Sequence, residues 1–338
     1  MFRKNAKPEK HIGIFALYVV FFPQLVAGPI ERPQNLIPQL KSPKKLDLAR
    51  ITSGVRLMIW GGFQKVVIAD QLSLGVNFVF GTPDGVSGSL VLVGSYLFAF
   101  QIYCDFAGYS NIAIGAARIL GIDLMDNFKR PYFSTSIQMF WRRWHISLST
   151  WFRDYLYIPL GGSRKGRART YLNLLIVFLV SGLWHGANWT YVCWGGVHGV
   201  LLVCGIWIRS TFSNGVPFLP MAARRALATL LVFHLVCFAW VLFRATSMGH
   251  ALSMFETLFL WKNSDIPFSI PSISWPLVAL GGIVLLLVEA GQEWASRRDI
   301  VLLDRIPPVL QHAGLMLLVL WIAAYGVFDR QEFVYWKF

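Results

Sequence analysis

The sequence predicts an all-α polytopic membrane protein that forms a single domain over residues 1–338. Hydrophobic residues make up 55% of the chain and charged residues only 14%, a balance that a soluble globular domain could hardly keep in water. The mean hydropathy is +0.53. Apolar stretches of about 20 residues, the length that crosses a bilayer as a helix, recur along the chain. Together these observations favour a bundle of spanning helices.

The formal net charge of +14 fits the same class. Lys and Arg concentrate in short cytoplasmic loops of membrane proteins, where they face anionic lipid headgroups. The basic clusters here lie between apolar spans and not on a separate polar module with exposed aromatic residues, which argues against nucleic-acid binding. The four cysteines form no CxxC pair and the seven histidines no HxxxH or HxxHH set, so we expect no metal site.

Eight segments have the length and composition of spanning helices. They are residues 11–29, 52–70, 87–107, 171–189, 190–209, 224–244, 275–291 and 312–328. The second segment is the weakest candidate, because it contains Arg56, Lys65 and Asp70.

Residues 129–170 interleave aromatic residues with arginines and contain no clean span. We predict an interfacial or re-entrant segment, which is tolerated where protein or a watery cavity satisfies the backbone. It ends in a basic loop, which we place in the cytoplasm. The loop either sets the topology or attracts an anionic acyl carrier or the phosphates of coenzyme A. Its basic residues are Arg164, Lys165, Arg167 and Arg169.

A continuous helix over residues 138–159 would place an aromatic face, which includes His145, beside a polar face. One interpretation is a helix lying on the membrane surface. The other is a cavity wall, which Arg142 and Arg143 favour, because ionisable groups at membrane depth usually face a bundle interior or an aqueous path.

His185 lies within residues 171–208, which contain no Lys, Arg, Asp or Glu. Glycines around it have the spacing that lets helices pack closely, so the histidine has a purely structural interpretation. The functional interpretation is that a desolvated imidazole is held neutral and accepts a proton from a hydroxyl as a general base. Asp105 has two interpretations as well: it orients a cation or a histidine, or it is a helix-terminal carboxylate in water.

Four motifs resemble those of the membrane-bound O-acyltransferase family, in the family's order. They are PQLVAGPIERP (23–33), YCDFAGYSNIAIGAARILGI (103–122), FKRPYFSTSIQMFWRRWHISLSTWFRDYLYIPLGG (128–162) and SGLWHGANWTYVCWGGVHG (181–199). The chain is most similar to the bacterial branch of alginate O-acetyltransferases and, more distantly, to D-alanyl transfer proteins. Residues 333–338 are similar to the aromatic C-terminus of that branch.

The resemblance implies a multi-helix bundle with a central tunnel and re-entrant helices, in the bacterial inner membrane. It implies transfer of an acyl group, most often acetyl, from a cytoplasmic thioester to hydroxyls of an exported or cell-surface polysaccharide. The donor would be acetyl-CoA or an acyl carrier, which is a substrate and not a bound cofactor. A periplasmic SGNH-type acetyltransferase partner often completes such reactions.

The resemblance also implies roles for individual residues. His185 would be the active-site histidine and general base, and His145 a second histidine in the tunnel. Arg142 and Arg143 would face the anionic donor. The supporting residues would be Asn188, Asp105 and Trp184.

One feature departs from the family pattern. Members of this branch usually have several spans before the PQLVAGPI motif, which begins here at residue 23. We therefore expect a chain without the family's N-terminal spans, in which closure of the tunnel is in question. The alternative function is a non-catalytic transporter or scaffold subunit of a polysaccharide export complex, whose intramembrane His and Arg line a path. No inverted repeat supports that alternative.

Overall fold

The helical class predicted from composition is confirmed. The computed structural model describes residues 8–82, 85–211, 219–264, 266, 274–328 and 333. Within these residues the chain forms fourteen α-helices and no strand. The helices are α1 (Ile12–Val20), α2 (Phe22–Leu25), α3 (Pro33–Lys41), α4 (Leu48–Gly62), α5 (Asp70–Gly81), α6 (Gly88–Ile119), α7 (Ile137–Trp141), α8 (Ile146–Phe152), α9 (Arg167–His185), α10 (Trp189–Thr211), α11 (Met221–Arg244), α12 (Met248–Phe259), α13 (Trp275–Ser296) and α14 (Pro308–Tyr325).

Five helices in the described ranges are long and apolar enough to cross a membrane: α6, α10, α11, α13 and α14. They correspond to five of the eight predicted spans. The predicted span at 171–189 is also helical, as α9, which starts at Arg167 and ends at His185. The predicted span at 52–70 lies in a continuous helical run from α4 through a π-helical segment (Phe63–Ala69) into α5.

The span predicted at residues 11–29 is wrong. Helix α1 covers only nine residues and α2 only four. Nine residues rise about 14 Å, less than half of the roughly 30 Å hydrocarbon core. Pro23 is the physical reason, because it has no N–H to donate and is tolerated only in the first turn of a helix. Accordingly, α1 ends before it and α2 begins with it in the first turn.

Helices α4 and α6 pack in backbone contact through two pairs of glycines. A Cβ atom on Gly54 would lie 2.6 Å from the carbonyl oxygen of Gly115, and one on Gly61 would lie 2.5 Å from that of Gly108. Small residues at such contacts let helices approach closely. The contact fixes α6 against α4.

Helices α9 and α10 form an antiparallel hairpin with the same kind of contact. A Cβ atom on Gly182 would lie 2.2 Å from the Tyr191 carbonyl oxygen, and one on Gly195 would lie 2.2 Å from that of Phe178. The packing role predicted for these glycines is therefore confirmed. It places His185, the last residue of α9, at the turn of a tightly packed hairpin.

The hairpin contact can be tested with Gly195→Ala. The added methyl group overlaps the Phe178 carbonyl, so we expect the free energy of unfolding to fall by about 1–3 kcal/mol, as for other overpacked sites. Gly205→Ala is the control on the same helix, because no atom lies within 4 Å of its added Cβ. Thermal unfolding in one detergent should show a lower midpoint for Gly195→Ala alone. Equal midpoints for the two variants would contradict the close contact.

Candidate active site

The helix predicted over residues 138–159 is interrupted at His145. Helix α7 ends at Trp141, α8 starts at Ile146, and His145 between them has a left-handed backbone with φ 41°. The continuous aromatic face predicted to include His145 does not exist. The interpretation as a surface helix is also wrong, because Trp144 and His145 are buried. Left-handed residues other than glycine cost roughly 1–3 kcal/mol and persist where the surroundings hold them.

Asn127 holds the residues that follow His145. Its carbonyl oxygen accepts a hydrogen bond from Ile146 N (2.9 Å). Its side-chain Oδ1 accepts from Ser147 N (3.3 Å) and Ser147 Oγ (2.6 Å), while its Nδ2 donates to Ser110 Oγ on α6 (3.1 Å). The start of α8 is therefore anchored to α6 through one asparagine that the sequence analysis did not single out.

His145 lies outside the spanning helices and is 4% exposed. Its ring meets the ring of Phe106 edge to face, with 4.6 Å between centroids. Burial lowers the pKa of His145 well below the usual range of histidine, and the nearby His185 lowers it further. His145 is therefore neutral at physiological pH, and His185 lies near enough for a charge on one ring to disfavour a charge on the other.

His185 is buried at the C-terminal end of α9, with 9% of its surface exposed. Its ring packs edge to face against three aromatic rings. The centroid distances are 5.1 Å to Trp184, 5.1 Å to Trp194 and 5.2 Å to Phe243. Trp184 therefore supports the histidine by direct ring contact while remaining 54% exposed on its other side.

Buried tryptophans connect the surroundings of the two histidines. Trp194, which contacts His185, stacks on Trp240 with 5.8 Å between centroids. Trp240 in turn packs against Trp144 at 5.0 Å, and Trp144 directly precedes His145. The structure thus brings together two histidines that are far apart in the sequence.

Asn188 fixes the backbone after His185. Its Nδ2 donates to the carbonyl oxygen of Thr246, which follows α11 (3.0 Å), and its Oδ1 accepts from Thr190 N at the start of α10 (3.1 Å). The amide therefore joins the α9–α10 turn to the end of α11. This is a supporting contact to the chain that carries the histidine.

Asp105 orients a cation, one of its two predicted roles. It is 1% exposed in the middle of α6, so the interpretation as a helix-terminal carboxylate in water is wrong. Lys65 Nζ lies 2.7 Å from Asp105 Oδ1 and 2.7 Å from Asp70 Oδ1. The group is a buried ion cluster that joins α6 to the π-helical turn after α4.

Arg142 and Arg143 point to different places. Arg142 is exposed and lines a cavity of about 850 Å³ enclosed by α7, α8, α9 and α10. Arg143 instead donates to both carboxylate oxygens of Glu293 on α13, each at 3.1 Å. The sequence analysis missed Glu293, which lies two residues beyond the span predicted at 275–291. Glu289, inside that span, is the signal of buried carboxylates on this helix.

The cavity beside α9 has an apolar wall and a polar, basic rim. Neither histidine lines it, but Ser181, one turn before His185, does. Trp141, another lining residue, packs against Trp194 at 5.8 Å, so the cavity reaches within two aromatic rings of His185. Other residues that the structure places around it include Leu148, Phe152, Val177, Phe178, Arg153, Tyr157, Ser163 and Thr170.

The aromatic C-terminus noted in the sequence lies outside the described residues, apart from Phe333. The Phe333 ring lies 5.9 Å from that of Phe106 and 5.3 Å from that of Tyr109. Phe106 in turn contacts His145, so one aromatic ring separates Phe333 from that histidine.

Residues 11–250 match the model of the membrane-bound O-acyltransferase family. The chain belongs to this family. As a family member with five helices of spanning length in its described part, it is a multi-pass membrane protein. The matched range includes both histidines and the tryptophans between them, whereas Glu293 lies beyond it.

The chain is similar to proteins named as alginate, peptidoglycan and teichoic acid acyltransferases. The probable alginate O-acetylase AlgI of Pseudomonas aeruginosa is 40% identical over 269 residues, which cover 79% of this chain and 50% of that protein. The peptidoglycan O-acetyltransferase of Helicobacter pylori is 40% identical over 248 residues, 73% of this chain and 46% of the relative. The teichoic acid D-alanyltransferase of Bacillus subtilis is 28% identical over 247 residues, 69% of this chain and 61% of the relative. This chain spans about half the length of the alginate and peptidoglycan relatives.

The buried ion cluster around Lys65 can be tested with Lys65→Met. Removal of the cation leaves two buried carboxylates without a counter-ion, so we expect a loss of about 3–5 kcal/mol in the free energy of unfolding. The matched control is Lys262→Met, which breaks an exposed pair with Glu256 and should cost about 1 kcal/mol or less. Thermal unfolding of both variants in detergent measures the difference. A Lys65→Met midpoint as high as that of the control would contradict the structural role of Asp105.

Proposed function

We propose that this chain is a membrane O-acyltransferase of the bacterial inner membrane. It transfers an acyl group, acetyl in the first instance, from a thioester donor to hydroxyl groups of an exported or cell-surface polysaccharide. The observation that carries the proposal is that two buried histidines lie near one another, joined by packed tryptophans, and that two aromatic rings separate His185 from a cavity with a basic rim. Family membership supports the reaction class.

His185 is the general base of the proposed reaction. A ring nitrogen of neutral His185 takes the proton of the acceptor hydroxyl as its oxygen attacks the thioester carbonyl carbon. The C–O bond forms, the C–S bond breaks, and the proton passes from the imidazole to the leaving thiolate. His145, which is neutral and held in one backbone conformation, orients His185 or the reacting group.

The cavity beside α9 fits the donor. Its apolar wall suits an acyl chain and the thioester arm, and its rim carries Arg142 and Arg153. Ser163 and Thr170, also in the lining, flank the exposed basic residues of 164–169, of which Arg167 and Arg169 belong to the first turn of α9 and not to a loop. Their positive charge attracts phosphates or an acidic carrier. The positive-inside rule favours a cytoplasmic location for these basic residues, which supports a donor in the cytoplasm. Arg142 serves the donor, whereas Arg143 is engaged by Glu293.

The acceptor is a polymer hydroxyl on the other side of the membrane. The relatives' names give alginate, peptidoglycan and teichoic acid as their polymers. The two O-acetylating relatives are 40% identical and the D-alanyl relative 28%, which favours acetyl over an aminoacyl group. The acetyl group reaches the polymer directly or through a periplasmic SGNH-type partner.

The proposed reaction requires both histidines. We expect His185→Ala and His145→Ala each to lower acetylation by about 10²–10⁴-fold, because each removes an imidazole from the site. His312→Ala, at an exposed histidine on α14, should have no effect. The measurement is the acetate released by mild alkali from purified surface polymer, with the protein level checked by immunoblot. Full O-acetyl content in the His185→Ala strain at normal protein level would rule out the enzymatic proposal and leave the transporter or scaffold role.

The donor site is tested separately with Arg142→Gln. Loss of one charge-assisted contact to a phosphate should raise the KM for acetyl-CoA about tenfold and leave kcat little changed. The control is Arg225→Gln, an exposed arginine on α11. Initial rates of acetyl transfer in isolated membranes at a series of acetyl-CoA concentrations give both constants. An unchanged KM would show that the donor's anionic groups do not contact Arg142.

A further inference from the structure

We propose that Glu293 on α13 is a positioning residue for His145. Its carboxylate holds Arg130 and Arg143 and thereby fixes the backbone that turns at the histidine. This inference rests on the proposed function, in which His145 acts in acyl transfer. It extends the site to a helix that lies beyond the range matched by the family model.

Glu293 is buried and makes three hydrogen bonds to two arginines from the segment before α8. Its Oε2 accepts from Arg130 Nε (3.0 Å) and from Arg143 Nη1 (3.1 Å), and its Oε1 accepts from Arg143 Nη2 (3.1 Å). The contact with Arg143 is bidentate, the arrangement that fixes the direction of a guanidinium as well as its position. One carboxylate therefore holds two points of the segment.

These contacts lock the chain on the N-terminal side of His145. Arg143 lies two residues before the histidine, and its Nη1 also lies 3.4 Å from the carbonyl oxygen of Arg130. Its own carbonyl oxygen accepts from Lys129 N (2.9 Å). Arg130 has a left-handed backbone (φ 50°), as His145 does (φ 41°). The two strained positions are thus joined through one guanidinium, which Glu293 holds in place.

The C-terminal side of His145 is held independently, by the bonds from Ile146 and Ser147 to Asn127. His145 therefore lies between two anchors, Asn127 on one side and the Glu293 contact on the other. Without Glu293, the backbone at His145 is held on its C-terminal side only. The orientation of the His145 imidazole then becomes variable.

A second contact of α13 supports this role. Glu289, one turn before Glu293, accepts a hydrogen bond from Tyr103 Oη on α6. The Tyr103 ring packs against Trp144 with 6.1 Å between centroids, and Trp144 directly precedes His145. Two glutamates of α13 thus contact the surroundings of His145. Glu293 binds Arg130 and Arg143, and Glu289 binds Tyr103, which packs against Trp144.

The test is Glu293→Gln, which removes the negative charge and keeps the size of the side chain. We expect kcat for acetyl transfer from acetyl-CoA to fall by up to about 100-fold, the size of effect that follows a displacement of about 1 Å in a catalytic group. The KM for acetyl-CoA should stay within twofold, because the donor cavity is lined by other residues. The control is Arg297→Gln, which removes the more exposed partner of Glu293, directly after the end of α13, and should keep full kcat.

Two additional variants separate positioning from a general loss of structure. Glu293→Asp keeps the charge and shortens the side chain by one methylene. It should therefore lower kcat less than Glu293→Gln does and leave the KM for acetyl-CoA unchanged. It also serves if Glu293→Gln does not accumulate. Arg143→Gln combined with Glu293→Gln should be no slower than the slower single variant, because both substitutions break the same contact.

His145→Ala, measured in the same membranes, distinguishes the inference from the proposal beneath it. If membranes with the unmodified chain transfer no acetyl group from acetyl-CoA, the proposed function is wrong. If they do and His145→Ala keeps full kcat, His145 has no role in the reaction and the positioning role of Glu293 is wrong as well. If His145→Ala loses activity while Glu293→Gln and Glu293→Asp stay within twofold of the unmodified chain, only the positioning role is wrong. A fall in kcat accompanied by an equal rise in KM would likewise overturn it, since that pattern indicates a general distortion of the site.

Discussion

The arrangement of the site depends on the packing of Trp144, Trp240 and Trp194. Each is at most 1% exposed, and they come from three different elements: the turn before α8, then α11 and α10. Tryptophans bury more apolar surface than any other side chain, so their contacts dominate the packing energy here. Because Trp144 adjoins His145 and Trp194 contacts His185, the burial of these rings also brings the two histidines together.

The buried charges near the site are engaged in holding the fold. Lys65 lies between Asp70 and Asp105, and Glu293 lies between Arg130 and Arg143. A buried ion without a counter-ion costs several kcal/mol, so these partners cannot be exchanged freely for a substrate. The imidazoles of His145 and His185, which lie among aromatic rings, are therefore the groups that we propose for proton transfer.

Much of the helical framework could be predicted from the sequence, and the turn at His145 could not. Five apolar segments became helices of spanning length, and the glycines near His185 pack as their spacing indicates. The prediction of a span at residues 11–29 was wrong because Pro23 interrupts the helix, although the segment is apolar along most of its length. No glycine or proline marks the break at His145. The turn is held by Asn127 and Glu293, and both residues lie far from His145 in the sequence. Such long-range contacts leave no local pattern that could predict the turn.

The most direct test of the account compares acetyl transfer by His145→Ala, His185→Ala and the double variant in isolated membranes. Residues that act as a unit on one chemical step give strongly non-additive losses. The account predicts that the double variant transfers acetyl groups no more slowly than the slower single variant. Losses that multiply in the double variant would show that the two histidines act independently, and would contradict a shared active site.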